Sequence, residues 1–328
     1  MNKIKKIINK LFKLNYLKTI LQYKIDAFRF VSNSGTYKPH SKYAIEANIT
    51  IHYHVLEKGL TMPNRHLPFG IKVASELIDL INEYESQFEI SSQVRHAIAV
   101  LKEYFDLHIK MNAFTSSNSF WNKICTFDKS HSEIKMSHQK HFIRKDFYSA
   151  KYETFEKFAT SRHSVRNYSS LPVDIEKIKH AIQIATLSPS ACNRQHVRAR
   201  CICDKILCGE VLALQGGNRG FGYLADKVLI ITSDLSAEIG GIRERNDPYV
   251  NGGIFLMNLS YALHYYEVAH CILTCSFEAD IEKKLRRICK IPDNEVLIAL
   301  MSCGEAPEEF DVAISPKRDI SEVFSIIE

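Results

Sequence analysis

Apolar residues recur at helical spacing along the first third of the chain. In residues 1–30, Ile and Leu residues three or four positions apart are separated by lysines, which predicts a basic amphipathic helix. A break with Gly and Pro at residues 34–40 is followed by helical patterns at 43–60, 70–88 and 91–111. Residues 1–111 are therefore predicted to form a helical amino-terminal region.

The pattern is weaker in residues 112–153, which are polar and are predicted to be a connector. His131, His138 and His141 lie close together there, as metal ligands can. No further ligands occur at fixed spacing, so a solvated polar segment is favoured and no metal site is predicted.

From residue 154 onward the pattern alternates between helices and short β-rich runs, which predicts a layered α/β or α+β domain over residues 154–328. The expected helices cover 175–187, 252–268 and 281–290, and the expected strands cover 197–203, 228–233 and 295–302.

Composition agrees with a globular protein in a reducing compartment. The 328 residues are 45% hydrophobic, and no apolar run is long enough to cross a bilayer. The nine Cys are odd in number and scattered, which favours reduced thiols. We therefore expect a cytoplasmic location.

Positive charge is concentrated near the start, since residues 1–150 carry 22 Lys and Arg against 13 Asp and Glu. Most of the lysines lie in one helix without nucleic-acid recognition motifs, so no nucleic-acid partner is expected. Two interpretations of that helix stay open. It contacts the anionic inner face of a membrane peripherally, or it docks on the protein's own core with its lysines in water.

The candidate chemistry begins with Arg162, Ser164 and Arg166. Two guanidinium groups and a hydroxyl within five residues form a compact anion-binding set. Such strings also occur in ordinary solvated loops, so this set alone is weak evidence.

Later motifs in the chain make the signal specific. A Pro-Ser-x-x-Asn-x-Gln loop occupies residues 189–195, Gly304 lies after a late strand, and a Lys-Arg pair stands at 317–318. In this order and spacing, residues 154–328 resemble the nitroreductase family of FMN flavoproteins. The resemblance implies an α+β fold in three layers, with a central mixed β-sheet flanked by helices, to which the amino-terminal helical region is added.

The resemblance also implies roles for individual residues. Arg162 and Ser164 would hold the FMN phosphate, and the basic pair of Lys317 and Arg318 would complete that site. His163, between them, would also belong to the cofactor-binding residues. Arg166 would lie near the flavin N1 and O2 edge and be the catalytic residue, because a fixed cation there favours the reduced ring. Plain surface charges would also explain the Lys-Arg pair.

Two further groups are implied to contact the flavin. The loop residues would reach it from the second subunit of a homodimer, although a helix-ending turn would explain the same residues; they are Pro189, Ser190, Asn193 and Gln195. Asn218 would lie near the ring and Leu273 and Thr274 beside it, although a glycine-rich turn around Asn218 needs no ligand.

Departures from the family pattern leave the substrates open. The loop continues as Gln195-His196-Val197 where the family usually has Gln-Pro-Trp, so access for nicotinamide and acceptor is not defined. Residues 54–65 resemble an amino-terminal element of nitroreductase-like proteins linked to surface-polysaccharide gene clusters. Two interpretations of His54, Glu57 and Lys58 within it stay open: they contribute to a substrate site, or they form only a local capping and ion-pair network.

The sequence thus predicts an FMN-dependent oxidoreductase that moves electrons from NADH or NADPH to a small-molecule acceptor in a ping-pong cycle. The alternative is a flavin-binding or degenerate scaffold that acts through a partner or a membrane.

Overall fold

The computed structural model describes the backbone of residues 2–113 and 119–327. The helices are α1 (Asn2–Asn33), α2 (Lys42–Leu60), α3 (Ile71–Glu85), α4 (Ser92–Lys110), α5 (Ser119–Ser130), α6 (Arg144–Phe147), α7 (Phe155–Ser161), α8 (Ile175–Ala185), α9 (Lys205–Gln215), α10 (Asp247–Tyr265), α11 (Ala279–Cys289) and α12 (Ile320–Val323). The strands are β1 (Lys140–Ile143), β2 (Val197–Ile202), β3 (Lys227–Asp234), β4 (Ala269–Thr274), β5 (Glu295–Gly304) and β6 (Glu309–Val312).

The chain forms two compact units, each made of two stretches of sequence. The first, here called the sheet unit, contains the residues up to Asp26 and Phe142–Phe310. The second, the helical unit, contains Ala27–His141 and the residues from Asp311 onward. These bounds differ from the predicted divisions after residues 111 and 153. The predicted connector is divided at residue 141 between the two units, and the last residues of the chain belong to the helical unit.

The core of the helical unit is built from the apolar faces of α2, α3, α4 and α5. In α3, Leu77, Ile78 and Ile81 are fully buried, as the three- and four-residue spacing of their apolar stripe requires. Ile124 and Phe127 of α5 belong to the same core. Part of the stretch predicted to be a polar connector is therefore a packed helix, whereas α2, α3 and α4 confirm the sequence prediction.

The sheet unit contains a four-stranded sheet in the order β2-β3-β5-β4. Leu229 and Ile231 of the central strand β3 pack against Ile178 of α8 and Leu259 of α10. Val228 and Ile230 alternate with them and are equally buried, on the face where α9 packs. The α+β class with helices on both faces of a sheet is confirmed, and each described strand pairing is antiparallel where a mixed sheet was expected.

Helix α1 is long, as predicted, but its described leucines do not dock on the protein's own core. Leu14, Leu17 and Leu21 are 43%, 62% and 58% exposed. Near the end of the helix, Asp26 accepts a hydrogen bond from Nε of Arg245 at 2.6 Å, which attaches the helix within the sheet unit. None of the helices described by the structure is long and apolar enough to span a membrane.

Candidate functional site

The Arg-x-Ser-x-Arg segment lies along strand β4, at the edge of the sheet. It begins with Arg162, directly after α7, and the backbone N–H of Val165 donates to the carbonyl of His270 on β4 at 3.0 Å. The Tyr168 hydroxyl lies 2.9 Å from the Val165 carbonyl and 3.1 Å from the carbonyl of Ser302 on β5. Contacts to two strands therefore fix the backbone on which Arg162, Ser164 and Arg166 are carried.

Arg162 is a half-buried cation to which the described residues supply no anion. Its Nε atom is buried and makes no hydrogen bond within the described residues, and burial lowers the pKa of its guanidinium. Two imidazoles face the same region, and burial lowers the pKa of His264 to about 3 and that of His270 to about 4. Both histidines are thus neutral at pH 7, and Arg162 provides a positive charge that favours a bound anion.

Serine hydroxyls hold these two histidines in place. Ser161 Oγ lies 2.9 Å from Nε2 of His264, and Ser260 Oγ lies 2.7 Å from Nε2 of His270. Sequence reasoning missed all four residues, because their pairing depends on α7, α10 and β4 meeting in the folded unit. They form a neutral, hydrogen-bonded floor beside the guanidinium.

The other polar residues of the segment are half-buried. They are His163, Ser164 and Arg166. His163 hydrogen-bonds through Nδ1 to the carbonyl of Ser161 at 2.9 Å. The predicted roles of the three residues at the phosphate and at the flavin edge remain predictions.

The loop after α8 has a constrained backbone that its own side chains hold. Cys192, Asn193 and Gln195 all have positive φ, of 52°, 55° and 52°. Ser190 Oγ accepts a hydrogen bond from the Gln195 backbone N–H at 3.0 Å, and Gln195 Nε2 donates to Asn193 Oδ1 at 3.0 Å. The left-handed backbone and these two hydrogen bonds together define a preformed turn.

That loop lines a cavity of about 220 Å³. Pro189, Ser190 and Gln195 contribute to it together with Asn251 and Phe255 of α10. The structure thus brings most of the predicted loop residues together at a cavity that residues 162–166 do not line.

Asn218 and Thr274 are linked through a residue that the sequence analysis missed. Gln215 Oε1 accepts a hydrogen bond from Asn218 Nδ2 at 2.9 Å, and Gln215 Nε2 donates to the Thr274 carbonyl at 3.3 Å. Asn218 Nδ2 also donates to the Leu212 carbonyl at 2.6 Å, so the amide caps the end of α9. Leu273 is buried in β4 next to Thr274. These contacts place Asn218, Leu273 and Thr274 at the carboxyl end of β4, whereas His270 lies near its start.

Lys317 and Arg318 lie in the helical unit. Arg318 Nη1 pairs with the buried carboxylate of Glu46 at 2.8 Å and with Glu322 at 2.7 Å. Lys317 lines a cavity of that unit with Gln93 and His96. The phosphate role of this pair remains a prediction. Arg318 is the cation that neutralises the buried carboxylate of Glu46.

Comparison with known proteins finds one family whose model matches part of the chain. Residues 159–207 match the model of the nitroreductase family, a stretch that contains both the Arg-x-Ser-x-Arg segment and the loop at 189–195. The resemblance that the motifs indicated is confirmed over this stretch.

Three solved structures are similar to about half of this chain over nearly all of their own length. A nitroreductase family protein from Streptococcus pneumoniae TIGR4 is 18% identical over 53% of this chain and 100% of its own, with a TM-score of 0.46. A protein from Desulfovibrio desulfuricans in complex with FMN is 18% identical, with 53% and 96% covered and a TM-score of 0.45. A nitroreductase-like protein from Streptococcus mutans is 18% identical, with 53% and 98% covered and a TM-score of 0.45. No curated protein matches the chain.

Proposed function

We propose that this chain is an FMN-dependent oxidoreductase. The observation that carries the proposal is Arg162, a half-buried cation without an anionic partner among the described residues, on a segment fixed against β4. A phosphate monoester supplies about two negative charges and three acceptor oxygens, which is what such a guanidinium lacks. The family match over residues 159–207 supports the choice of a flavin phosphate.

Different residues of the segment along β4 would bind the phosphate and the ring of FMN. Arg162 and Ser164 would hold the phosphate beside the neutral floor of His264 and His270. Arg166, four residues after Arg162, would hold its guanidinium against the polar edge of the ring. When bound, FMN supplies the ability to accept and release a hydride equivalent.

Electron transfer in this proposal takes two half-reactions at one site. NADH or NADPH would donate first and leave, and a small organic acceptor would then bind. The protein's contribution is to position both reactants and to favour the negatively charged ring through Arg166.

A homodimer is part of the proposal. Helix α10 exposes a run of apolar side chains in the sheet unit, with Tyr249, Val250 and Ile254 exposed by 55%, 57% and 40%. Exposed apolar surface of this kind is typical of protein interfaces, and a second copy of the chain would cover it. We further propose a cytoplasmic location, with α1 providing peripheral contact with the inner membrane face through its lysines and exposed leucines.

The test uses the purified full-length protein. Mass spectrometry of the released chromophore should identify FMN, and anaerobic addition of NADH or NADPH should bleach the flavin absorbance. Protein with FMN that neither nicotinamide bleaches would favour the flavin-binding scaffold. Stoichiometric FAD, or no flavin after reconstitution with FMN, would refute the proposal.

A further inference from the structure

A second cavity lies wholly within the helical unit. Its volume is about 360 Å³, within the range of small-molecule sites. The first turns of α4 form one wall, and residues 133–135 and 316–317 form the other. The resemblance to the nitroreductase family assigns no function to the wall formed by α4.

Positive charge dominates the rim of this cavity. Arg95, Lys135 and Lys317 line it together with the carboxylate of Glu133. A further carboxylate, Glu322, lies 2.8 Å from Ser92 Oγ and is paired with Arg318. No ion pair to Arg95, Lys135 or Lys317 is formed within the described parts of the chain. The amino-terminal end of α4, a helix of 19 residues, adds its partial positive charge because Ser92 and Gln93 belong to its first turn. The site therefore favours an anion.

His96 is held at the cavity by a buried carboxylate. Its Nε2 lies 2.7 Å from Oε1 of Glu57, whose side chain is fully buried. Burial would raise the pKa of Glu57, but hydrogen bonds from His54 and His96 lower it to about 2. The backbone N–H of Ser315 donates to the same Oε1 at 3.2 Å. Glu57 is thus charged at pH 7 and fixes the orientation of the imidazole.

The other nitrogen of His96 is available. His52 and His108 in their helices, and His131 directly after α5, each place Nδ1 within 2.7 to 2.8 Å of the carbonyl four residues earlier. His96 Nδ1 makes no such bond, nor any other, within the residues that the structure describes. A ring nitrogen on the cavity wall is therefore free to meet a ligand.

Gln93 offers a second polar atom. The side chain is only 5% exposed, and its Oε1 accepts a hydrogen bond from the Tyr53 hydroxyl at 2.6 Å. That bond fixes the amide with Nε2 as the remaining donor, and Nε2 has no partner among the described residues. A nearly buried amide that lines a cavity with an unused donor is built to hydrogen-bond a ligand.

We propose that this cavity binds a small organic phosphate monoester other than FMN. The phosphate would lie among Arg95, Lys135 and Lys317, and the organic part would receive hydrogen bonds from Gln93 and His96. A phosphate suits the site better than a carboxylate because its charge of nearly two and its three oxygens match the three cations. Lys317 is shared with the phosphate role that the family resemblance implies for the basic pair, but the other lining residues are not among those proposed to hold FMN, and the variants below leave Lys317 unchanged.

The experiment is calorimetric titration of the full-length protein, with FMN bound, against inorganic phosphate and glycerol 3-phosphate. The ionic strength is balanced with chloride. The test variant is Arg95→Gln combined with Lys135→Gln, both exposed residues whose loss leaves the core intact. The matched control is Lys38→Gln combined with Lys129→Gln, which removes the same charge elsewhere in the helical unit. The FMN content of each variant is measured from its absorbance.

We expect both ligands to bind the parent, with glycerol 3-phosphate the tighter of the two. The test variant should bind each at least about tenfold more weakly, since two charge-assisted contacts are lost, and the control within about twofold of the parent. No binding above the chloride blank would overturn the proposal, as would equal losses in the test and control variants. Loss of FMN from the test variant alone would show that the cavity holds the flavin phosphate, which would also overturn it.

Discussion

Tyr168 occupies the space where a side chain at position 304 would lie: a Cβ atom added to Gly304 would come within 2.5 Å of Tyr168 Cγ. The hydroxyl of that tyrosine reaches Val165, three residues after Arg162. The glycine therefore leaves room for the tyrosine whose hydroxyl holds the candidate phosphate-binding segment.

Gly304→Ala should accordingly destabilise the protein by about 1 to 3 kcal/mol and weaken FMN binding, because the ring of Tyr168 has to move. Urea denaturation and flavin retention on dialysis measure the two effects. The matched control is Gly209→Ala in α9, where an added Cβ meets nothing within 4 Å. That substitution should be neutral or stabilising by up to about 1 kcal/mol. Equal stability of the two variants would show that the Tyr168 contact is unimportant.

Arg162→Met should separate stability from cofactor binding. The flavin-free variant should be more stable than the flavin-free parent by about 1 kcal/mol, because a partly buried, unpaired charge is replaced by an apolar side chain. Its affinity for FMN should fall by about 2 to 3 kcal/mol. Thermal denaturation of the apoproteins and fluorescence titration with FMN provide the data. Arg287→Met, at an exposed position on α11, should change neither quantity. Unchanged FMN affinity in the Arg162 variant would contradict the phosphate assignment.

Arg166→Ala should act on the reduction potential more than on cofactor retention. The reduced ring carries negative charge and would lose its nearest cation, so the midpoint potential should become more negative. A loss of about 1.4 kcal/mol corresponds to about 30 mV for a two-electron couple, which dye-equilibration titration resolves. Arg287→Ala serves as the control for general charge removal. A variant that retains FMN with an unaltered potential would mean that Arg166 does not face the ring.

Glu57 should make the helical unit sensitive to acid. Its pKa in the folded protein is lowered from 4.5 to about 2, so its stabilising contribution is complete above the unfolded value and is lost as the pH falls from about 4.5 to 2. The shift corresponds to about 3 kcal/mol for this fully buried group. Glu57→Gln should therefore be less stable than the parent at pH 7, and the difference should shrink toward about pH 2.5. Urea denaturation across this range measures it, with the more exposed Glu76→Gln as control. A difference that does not change with pH would contradict the assignment.

Regular apolar spacing allowed the helices of the amino-terminal region to be predicted from sequence. Helix α10 was expected to begin at Gly252 but begins at Asp247. Gly252 lies inside this helix. A Cβ atom there would come within 2.8 Å of Ile298 Cγ1, so close packing, and not a helix end, requires the glycine. The prediction also continued this helix through residue 268, although β4 begins at Ala269 after a turn with Glu267 at positive φ. The packing of Gly252 against Ile298 joins distant segments, and a local pattern does not contain it.

The candidate site was predicted where a single motif carries it. Arg162 and Ser164 could be found because they lie in one short segment. The neighbours of Arg162 could not, since His264 and His270 come from elements about one hundred residues later in the chain. The ion pair between Arg318 and Glu46 could not be predicted either, because Glu46 lies 272 residues before Arg318.

The same long separations restrict how this protein can be divided. Ser315 and Arg318 supply donors to Glu57 and Glu46, yet most of the sheet unit lies between the two sets in the sequence. A gene fragment that stops at residue 141 would encode α2, α3, α4 and α5 while leaving two buried carboxylates without these donors. The helical unit is thus not encoded by one continuous stretch of the gene, so recombination could not transfer it as a single segment. To study it alone, a fusion would have to join residues 311–328 directly to residue 141.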